Sequence, residues 1–196
     1  MSLRDDKRRW TMREVQAAAL DLVEANGFDA VSVEAIAAAA GVSAPTVYRH
    51  FGTKERIIVW DDYDPDLLDA IAHHATRLPP LAAVETGLIE ALGRVYEADA
   101  KRVLRRARLL LSTPALRLAN APVIAELRSE LGAVLALSYA ALTEERADML
   151  AAVIIVGLET AIGRWIGSGG KSCLQTHFRE AFADLRSVVL TEGVPA

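Results

Sequence analysis

Helix-type patterning runs through almost the whole of this chain, and it limits the possible folds more than any other feature. Alanine and leucine dominate, clusters of β-branched residues are short, and no strand-like alternation continues beyond a few positions. Hydrophobic residues make up 52% of the 196 residues, which is enough to bury a core. The sequence therefore predicts an all-α protein of about nine helices.

The composition also argues against several classes of protein. Residues 1–7 are charged and lack the apolar region of a signal peptide. The longest uncharged apolar stretch in the second half, 149–158, is too short to cross a bilayer, so no membrane partner is expected. A single cysteine, Cys173, allows no intrachain disulfide and no cysteine-rich metal site. We expect a cytoplasmic protein with no cofactor and no metal site.

The net charge gives little support for binding nucleic acid. It is −4 over the chain, whereas many nucleic-acid-binding domains are strongly basic. Up to Arg56, eight positive residues are balanced by eight negative ones. If the chain binds DNA, the evidence must come from the local placement of side chains.

The first helix is predicted to begin at Thr11, where Thr11 and Glu14 have the spacing of a capping box, and to end at Gly27. The preceding basic segment, 4–13, is interpreted as a frayed charged tail, and an arm that reaches the DNA remains an open alternative. Trp10 is expected to pack against the first helix.

Two short helices joined by a glycine-containing turn follow. Ser32 is suited to cap the first, and Ser43 is suited to cap the second, which runs to about His50. Gly41 lies in the turn between them. This arrangement predicts a helix-turn-helix within residues 32–51.

The second of these helices has two chemically different sides. Val47 and Phe51 lie four residues apart and can face the core, whereas Thr46, Arg49 and His50 lie on the other side with Tyr48 at its flank. A hydroxyl, a guanidinium and an imidazole are suited to base edges and phosphates in a major groove. Lys54, at the start of the next helix, is placed to bind a phosphate.

The stretch from Thr11 to Ile57 resembles the DNA-binding domain of the tetracycline-repressor (TetR) family. It covers about a quarter of the chain, and its parts occur in the family's order and spacing. They are Ala18-Ala19-Leu20, Asn26-Gly27-Phe28, Ser32-Val33-Glu34-Ala35-Ile36-Ala37, Ala40-Gly41-Val42-Ser43, Thr46-Val47-Tyr48-Arg49-His50-Phe51 and Lys54-Glu55. The resemblance implies a homodimeric transcription regulator, usually a repressor, with a helical ligand-sensing domain and no enzymatic activity.

The resemblance also implies roles for single residues. Tyr48 and Lys54 would bind phosphate, Ser43 and Thr46 would help to dock the helix, and Arg49 and His50 would lie at or near the groove. The family often has a basic residue and a glycine at the positions of Ala44 and Pro45, so here the front of the helix could contact thymine methyl groups instead. The predicted DNA-binding residues are Ser32, Ser43, Ala44, Pro45, Thr46, Tyr48, Arg49, His50 and Lys54.

We predict a DNA-binding domain over 1–56 and a ligand-sensing and dimerisation domain over 57–196.

The helix at 143–167 is apolar nearly all round and needs neighbours on every side, one of which a second subunit could supply. The alternative is that this helix and the one at 172–191 are internal core. The predicted dimer interface consists of Ile154, Gly157, Leu158, Ala161, Phe178, Phe182 and Leu185.

A pocket for an unidentified small apolar or acidic effector is expected between the helices of the second domain. Its candidate residues, most of which suit a plain core equally well, are Tyr96, Arg105, Arg108, Leu110, Leu116, Tyr139 and Trp165. The basic helix 99–112 and the acidic segment 61–69 are expected to form ion pairs that link the two domains. An inward role for Arg105 or Arg108, holding an acidic ligand, remains open.

Enzyme motifs are incomplete. The run Gly169-Gly170-Lys171-Ser172 ends like a phosphate-binding loop, but Trp165 stands where the leading glycine would be. The sequence thus favours a regulator that binds a palindromic double-stranded DNA operator as a homodimer and is released by a small molecule. The alternative is a small-molecule binding protein with a vestigial DNA reader.

Overall fold

The computed structural model describes residues 3–61 and 64–191, apart from the side chains of residues 3, 64–66, 94–98 and 188–191. Every regular element in these described ranges is a helix, which confirms the all-α prediction. The helices are α1 (Leu3–Asn26), α2 (Val33–Ala39), α3 (Ala44–Phe51), α4 (Lys54–Val59), α5 (Asp64–Ala75), α6 (Pro80–Ser112), α7 (Pro114–Ser138), α8 (Glu144–Gly167) and α9 (Leu174–Thr191). Two of them contain an irregularity: α6 changes direction at Asp99, and α7 continues through Pro122.

The chain divides into two compact units. The first comprises residues up to 62 together with 101–121, and the second comprises 63–100 and 122–196. The sequence predicts that residues 101–121 belong to the sensing domain, whereas the structure groups them with the first four helices.

The first unit has one core, formed by side chains from α1 to α4 and from the segment 101–121. Its fully buried members include Val15, Ile36, Ile57 and Leu116. The short helices begin where the sequence predicts, since Ser32 Oγ accepts from Ala35 N at 3.1 Å. The turn that follows α2 places Gly41 at a φ of 66°, a conformation that glycine adopts without steric cost.

The start of α1 differs from its prediction. The helix begins at Leu3, and the Thr11 hydroxyl donates to the carbonyl oxygen of Lys7 at 2.9 Å within the helix, so the predicted capping box is wrong. Trp10, which was expected to pack against the first helix, lies within α1 and is 62% exposed. The basic segment therefore belongs to a regular helix, where its residues have a fixed spacing.

In the second unit, α8 and α9 pack closely against each other. Ile154, Trp165 and Phe182 are fully buried, and a Cβ at Gly157 would lie 2.8 Å from Leu185 Cδ1. Among the described residues, one helix, α8, is long and apolar enough to span a membrane. Core helices have the same property, and Ile154 and Trp165 of α8 are buried inside this chain.

Candidate nucleic-acid interface

The helix α3 is held by its apolar side and by its cap. Val47 and Phe51 are buried in the core of the first unit, as the sequence predicts. Ser43 caps the helix: its hydroxyl accepts from Thr46 N at 3.4 Å and lies 2.9 Å from Thr46 Oγ1. Pro45 occupies the first turn, where a missing amide proton has no cost. A helix of this length would not persist alone, so these contacts fix its direction.

The opposite side of α3 is open to solvent. Tyr48 is 46% exposed, Arg49 is exposed and His50 is half-buried. At the front of the helix Pro45 is exposed, whereas Ala44 packs partly against the core. Ser32 is also exposed. The exposed set combines an aromatic hydroxyl with a guanidinium, which can bind phosphates and base edges.

Tyr48 already has a partner on the neighbouring helix. Its hydroxyl donates to Glu34 Oε1 at 3.2 Å, and this hydrogen bond, followed by desolvation and the charge of Glu34, raises the pKa of the phenol. The sequence assigns the Tyr48 hydroxyl to a phosphate. In this structure the hydroxyl is bonded to the Glu34 carboxylate, so a phosphate would compete with Glu34 for the same donor.

Lys54 likewise has a partner within the protein. Its Nζ donates to the carbonyl oxygen of Phe28 at 2.7 Å and lies 4.2 Å from the centroid of the Phe28 ring. The amide of Arg56 in the same turn donates to Thr53 Oγ1 at 3.3 Å. Lys54 therefore ties the start of α4 to the α1–α2 connection, a role that the sequence analysis missed because the two residues are 26 positions apart.

His50 lies in a positive environment at the end of α3. Desolvation lowers the pKa of its imidazole, and the charges of Arg49 and Arg8 lower it further. At neutral pH the side chain is therefore an uncharged donor and acceptor. A phosphate brought to this surface would favour the charged form.

One buried polar side chain of the first unit, Gln16, is absent from the sequence predictions. It is fully buried, and it joins α1 to the end of α4 and to Arg102 of α6. In the sequence, the sign of this role is that Gln16 is a polar residue next to the apolar face of α1. Arg102, the partner of Gln16 on α6, recurs at helical spacing with Arg105 and Arg106, which indicates a shared face without identifying what that face contacts.

The basic part of α6 pairs with acidic residues of the first unit. Arg106 Nη1 lies 2.7 Å from Asp61 Oδ2, which confirms one pair between the basic helix and the acidic segment. Arg105 instead contacts α1, with Nη2 2.6 Å from Asp21 Oδ1 and Nε 2.8 Å from Glu24 Oε1. Its guanidinium is therefore engaged by two carboxylates inside the first unit, and this placement favours pairing over an inward role toward a ligand.

The other predicted ligand residues are divided between the two units. Leu116 and Leu110 lie in or against the core of the first unit, and Arg108 is exposed. In the second unit, Tyr139 Oη donates to the carbonyl oxygen of Leu78 at 2.6 Å, and burial raises its pKa. Trp165 is buried and donates to the carbonyl oxygen of Ser172 at 3.0 Å. The side chain of Tyr96 lies outside the described residues.

The second unit does contain an apolar cavity, formed by α5, α6, α7 and α8. Its empty volume is about 220 Å³, part of which is open to solvent. The lining is entirely aliphatic and consists of Leu67, Leu68, Ile71, Val84, Leu88, Leu127, Leu131, Ile154, Ile155 and Leu158.

The predicted dimer residues mostly form the packing within a single chain. Ile154, Gly157, Leu158, Ala161, Phe178 and Phe182 are buried in the second unit, and Leu185 is half-buried against Gly157. The apolar side chains that α8 leaves exposed are different ones. They are Met149, Val153 and Val156, spaced so that they share one side of the helix. A helix that is apolar all round does not reveal which side faces its own chain.

Two protein-family models match this chain. One, described as bacterial regulatory proteins of the tetR family, covers residues 16–59. The other, described as the MftR C-terminal domain, covers residues 78–190, which is more than half of the chain. Together they include the helix-turn-helix and most of the second unit.

Two curated relatives are regulators by name. The chain is 30% identical over 114 residues to a protein of Mycobacterium tuberculosis named as a mycofactocin biosynthesis transcriptional regulator, MftR, and the match covers 57% of each chain. It is 31% identical over 121 residues to the HTH-type transcriptional regulator TcmR of Streptomyces glaucescens, covering 58% of this chain and 54% of the relative. The chain thus spans little more than half the length of these relatives.

Solved structures share the fold at lower identity. NalD of Pseudomonas aeruginosa, described as the secondary repressor of the MexAB-OprM multidrug efflux pump, superposes with a TM-score of 0.59 at 20% identity, covering 91% of this chain and 96% of NalD. The fatty acid degradation regulator FadR of Bacillus halodurans gives 0.57 at 19% identity, covering 88% and 92%.

Proposed function

Because the chain belongs to the TetR family of bacterial regulatory proteins, we propose that this transcriptional regulator is a cytoplasmic repressor that binds a palindromic operator as a homodimer and is released by a small molecule. One observation carries the DNA-binding part of the proposal. Val47 and Phe51 anchor α3 in the core, so that Arg49 and Tyr48 face outward together. Two such helices in a dimer would enter successive major grooves, about one helical turn apart.

Selection of bound sequences from a random DNA pool tests this directly. We expect a two-fold symmetric site, and we expect Arg49→Ala and Thr46→Val to change which bases are selected. Arg128→Ala is a matched control, since Arg128 is an exposed arginine of α7 that pairs with Asp148. No enrichment with the wild-type protein, or the same preference in all three variants, would contradict the assignment.

The dimer interface is proposed on the exposed apolar side of α8, with a second copy of this chain as its occupant. Met149, Val153 and Val156 repeat at intervals of four and three residues, and Val156 is 59% exposed. Gly163 continues the same side, and a Cβ there would meet nothing within 4 Å in the chain, which leaves room for a close helix approach. Pairing of this side with its symmetry mate would bury it in a four-helix arrangement with α9.

Sedimentation equilibrium tests the interface. Val156→Glu is expected to convert the dimer to a monomer, because it places two carboxylates near the two-fold axis. Leu137→Glu is a matched control on α7, since Leu137 is 89% exposed and lies outside the proposed side. A monomeric wild-type protein would overturn the proposal, and so would equal dimerisation of both variants.

The aliphatic cavity of the second unit is the proposed effector site. The ten residues that line it offer no charged group, so they favour a small apolar effector over an acidic one. A panel of small apolar compounds and their carboxylate analogues, tested for release of a fluorescent operator, would decide between the two. Leu88→Phe is expected to fill the cavity, abolishing release and leaving operator binding intact.

The alternative, a small-molecule binding protein with a vestigial DNA reader, is favoured by the balanced charge up to Arg56. The engagement of Tyr48 and Lys54 by protein partners also favours it. A salt titration on random duplex separates the two functions. Measurable affinity with a steep dependence on salt supports the regulator, because phosphate contacts release counterions, and absence of binding supports the alternative.

A further inference from the structure

The end of α4 is satisfied by side chains from two other helices. The last carbonyl groups of a helix have no partner within it and are usually left to water or to a local cap. Here Gln16 Nε2 donates to the carbonyl oxygens of Ile57 and Trp60 at 2.9 and 2.7 Å, with a longer contact of 3.4 Å to Ile58. Arg106 donates to the carbonyl oxygens of Ile58 and Val59, from Nε at 3.1 Å and from Nη2 at 2.6 Å.

Arg102 determines the orientation of the Gln16 amide. Its Nη1 donates to Gln16 Oε1 at 2.6 Å, which directs the Gln16 Nε2 group toward α4. Gln16 is fully buried, and a buried amide is tolerated when its hydrogen-bonding groups are satisfied. We refer to Gln16, Arg102 and Arg106 as the α4 clamp.

The α4 clamp is connected to the recognition surface by an aromatic contact. Trp60, whose carbonyl oxygen accepts from Gln16, packs edge-on against Phe51, with ring centroids 6.0 Å apart. Phe51 is the last residue of α3. A chain of direct contacts therefore leads from Arg102 through Gln16 and Trp60 to the helix that carries Arg49.

We infer that Gln16, Arg102 and Arg106 are positioning residues for DNA recognition, which they influence through α4 without touching the DNA. The inference rests on the proposed function. It also assigns Arg102 and Arg106 of α6 to the DNA-binding machinery, although the sequence predicts that both residues belong to the sensing domain. Arg105 adds to this attachment through Asp21 and Glu24.

The test measures operator affinity in full-length variants at a temperature well below their unfolding midpoints. Gln16→Met and Arg102→Met keep much of the side-chain volume and remove the donors, and each is expected to lower affinity by about tenfold. The salt dependence of binding should stay at the wild-type slope, since no phosphate contact is lost. Lys101→Met, an exposed position on the same helix with the same change in charge, should bind within about twofold of wild type.

A double variant and a conservative variant separate positioning from general stability. Gln16→Met combined with Arg102→Met should be no weaker than the weaker single variant, because both belong to one relay. Arg106→Lys keeps the charge and folds more readily than Arg106→Met, but it lacks the forked donors for two carbonyl groups and should still lose affinity. Amide hydrogen exchange in α3 and α4 should become faster in these variants.

Each contrary result has a distinct meaning. Wild-type affinity in the folded variants would overturn this inference alone, because the α4 clamp would then be purely structural. A salt slope lowered by about one in Arg102→Met would also overturn it, since Arg102 would then contact phosphate. Failure of the wild-type protein to bind any duplex would overturn the proposed function as well.

Discussion

The ammonium of Lys54 donates to the carbonyl oxygen of Phe28 at 2.7 Å and lies 4.2 Å from the centroid of that residue's ring. One side chain thus fixes the start of α4 against the connection between α1 and α2. The same ammonium is the predicted phosphate ligand. A change at this position should therefore affect folding and DNA binding together, and the two effects can be measured separately.

Lys54→Ala is expected to lower the free energy of unfolding by about 1–2 kcal/mol, through loss of a charge-assisted hydrogen bond and a cation–π contact. If Lys54 also reaches a phosphate, affinity for every duplex falls and the salt slope decreases by about one. Chemical denaturation and a salt titration measure the two effects. Lys171→Ala, at an exposed position of the second unit, is the control for charge. A loss of stability with an unchanged salt slope would show that Lys54 has only the structural role.

Glu34→Gln is expected to raise affinity for random duplex by a few-fold at low salt, because a carboxylate no longer competes with phosphate for the Tyr48 hydroxyl. The pKa of Tyr48 should fall toward 10, its ordinary value, since the carboxylate is the main cause of its elevation. Spectroscopic titration of the phenol measures the pKa, and fluorescence anisotropy measures binding. Asp29→Asn removes the same charge at another exposed position. Equal gains in both variants would assign the effect to net charge alone.

The helix-turn-helix could be predicted from sequence because its signals are local. Ser32 and Ser43 cap the helices that immediately follow them, and Val47 and Phe51 are four residues apart. The start of α1 could not be predicted from the sequence. The hydroxyl of Thr11 can donate to the carbonyl oxygen of Lys7 inside a helix as readily as it can cap a helix.

The contacts that tie the fold together over long separations could not be predicted either. Gln16 and Arg102 are 86 positions apart, and nothing local indicates that they meet. The sequence likewise does not show that Phe182 is buried within its own chain or that Val156 is exposed. Periodicity identifies α8 and α9 as apolar helices, but the side that each turns to its own chain depends on tertiary packing.

DNA binding is expected to become tighter as the pH falls from about 7.5 to 5.5, because of His50. Desolvation, with Arg49 and Arg8, lowers the pKa of this imidazole in the free protein, so it is neutral at pH 7, and a nearby phosphate would raise the pKa. Binding would then be coupled to proton uptake. Affinity measured across this range should rise for wild type and stay nearly constant for His50→Gln. Parallel curves for the two proteins would exclude the coupling.

The stability of the free protein has the opposite pH dependence at this site. Since the pKa of His50 is lower in the folded state than its ordinary value of about 6.5, protonation favours the unfolded chain. The stability that the neutral imidazole contributes is fully present above the ordinary pKa of about 6.5, and it is lost as the pH falls through the lowered pKa of the folded state. Urea denaturation of wild type and His50→Gln at pH 5 and pH 8 should show a smaller pH effect in the variant.

Two helical glycines of the second unit should respond oppositely to alanine. A Cβ at Gly87 would lie 2.8 Å from both the backbone nitrogen and Cγ1 of buried Ile71, so the helices would have to separate, and we expect Gly87→Ala to destabilise the unit by about 1–3 kcal/mol. At Gly132 the nearest atom is Asp148 Cα at 3.4 Å, which is ordinary contact, and alanine should stabilise the helix by up to about 1 kcal/mol. Thermal unfolding of both variants measures the difference. Equal shifts of the same sign would contradict the close approach of α6 to α5 at Gly87, because helix propensity alone favours alanine at both positions.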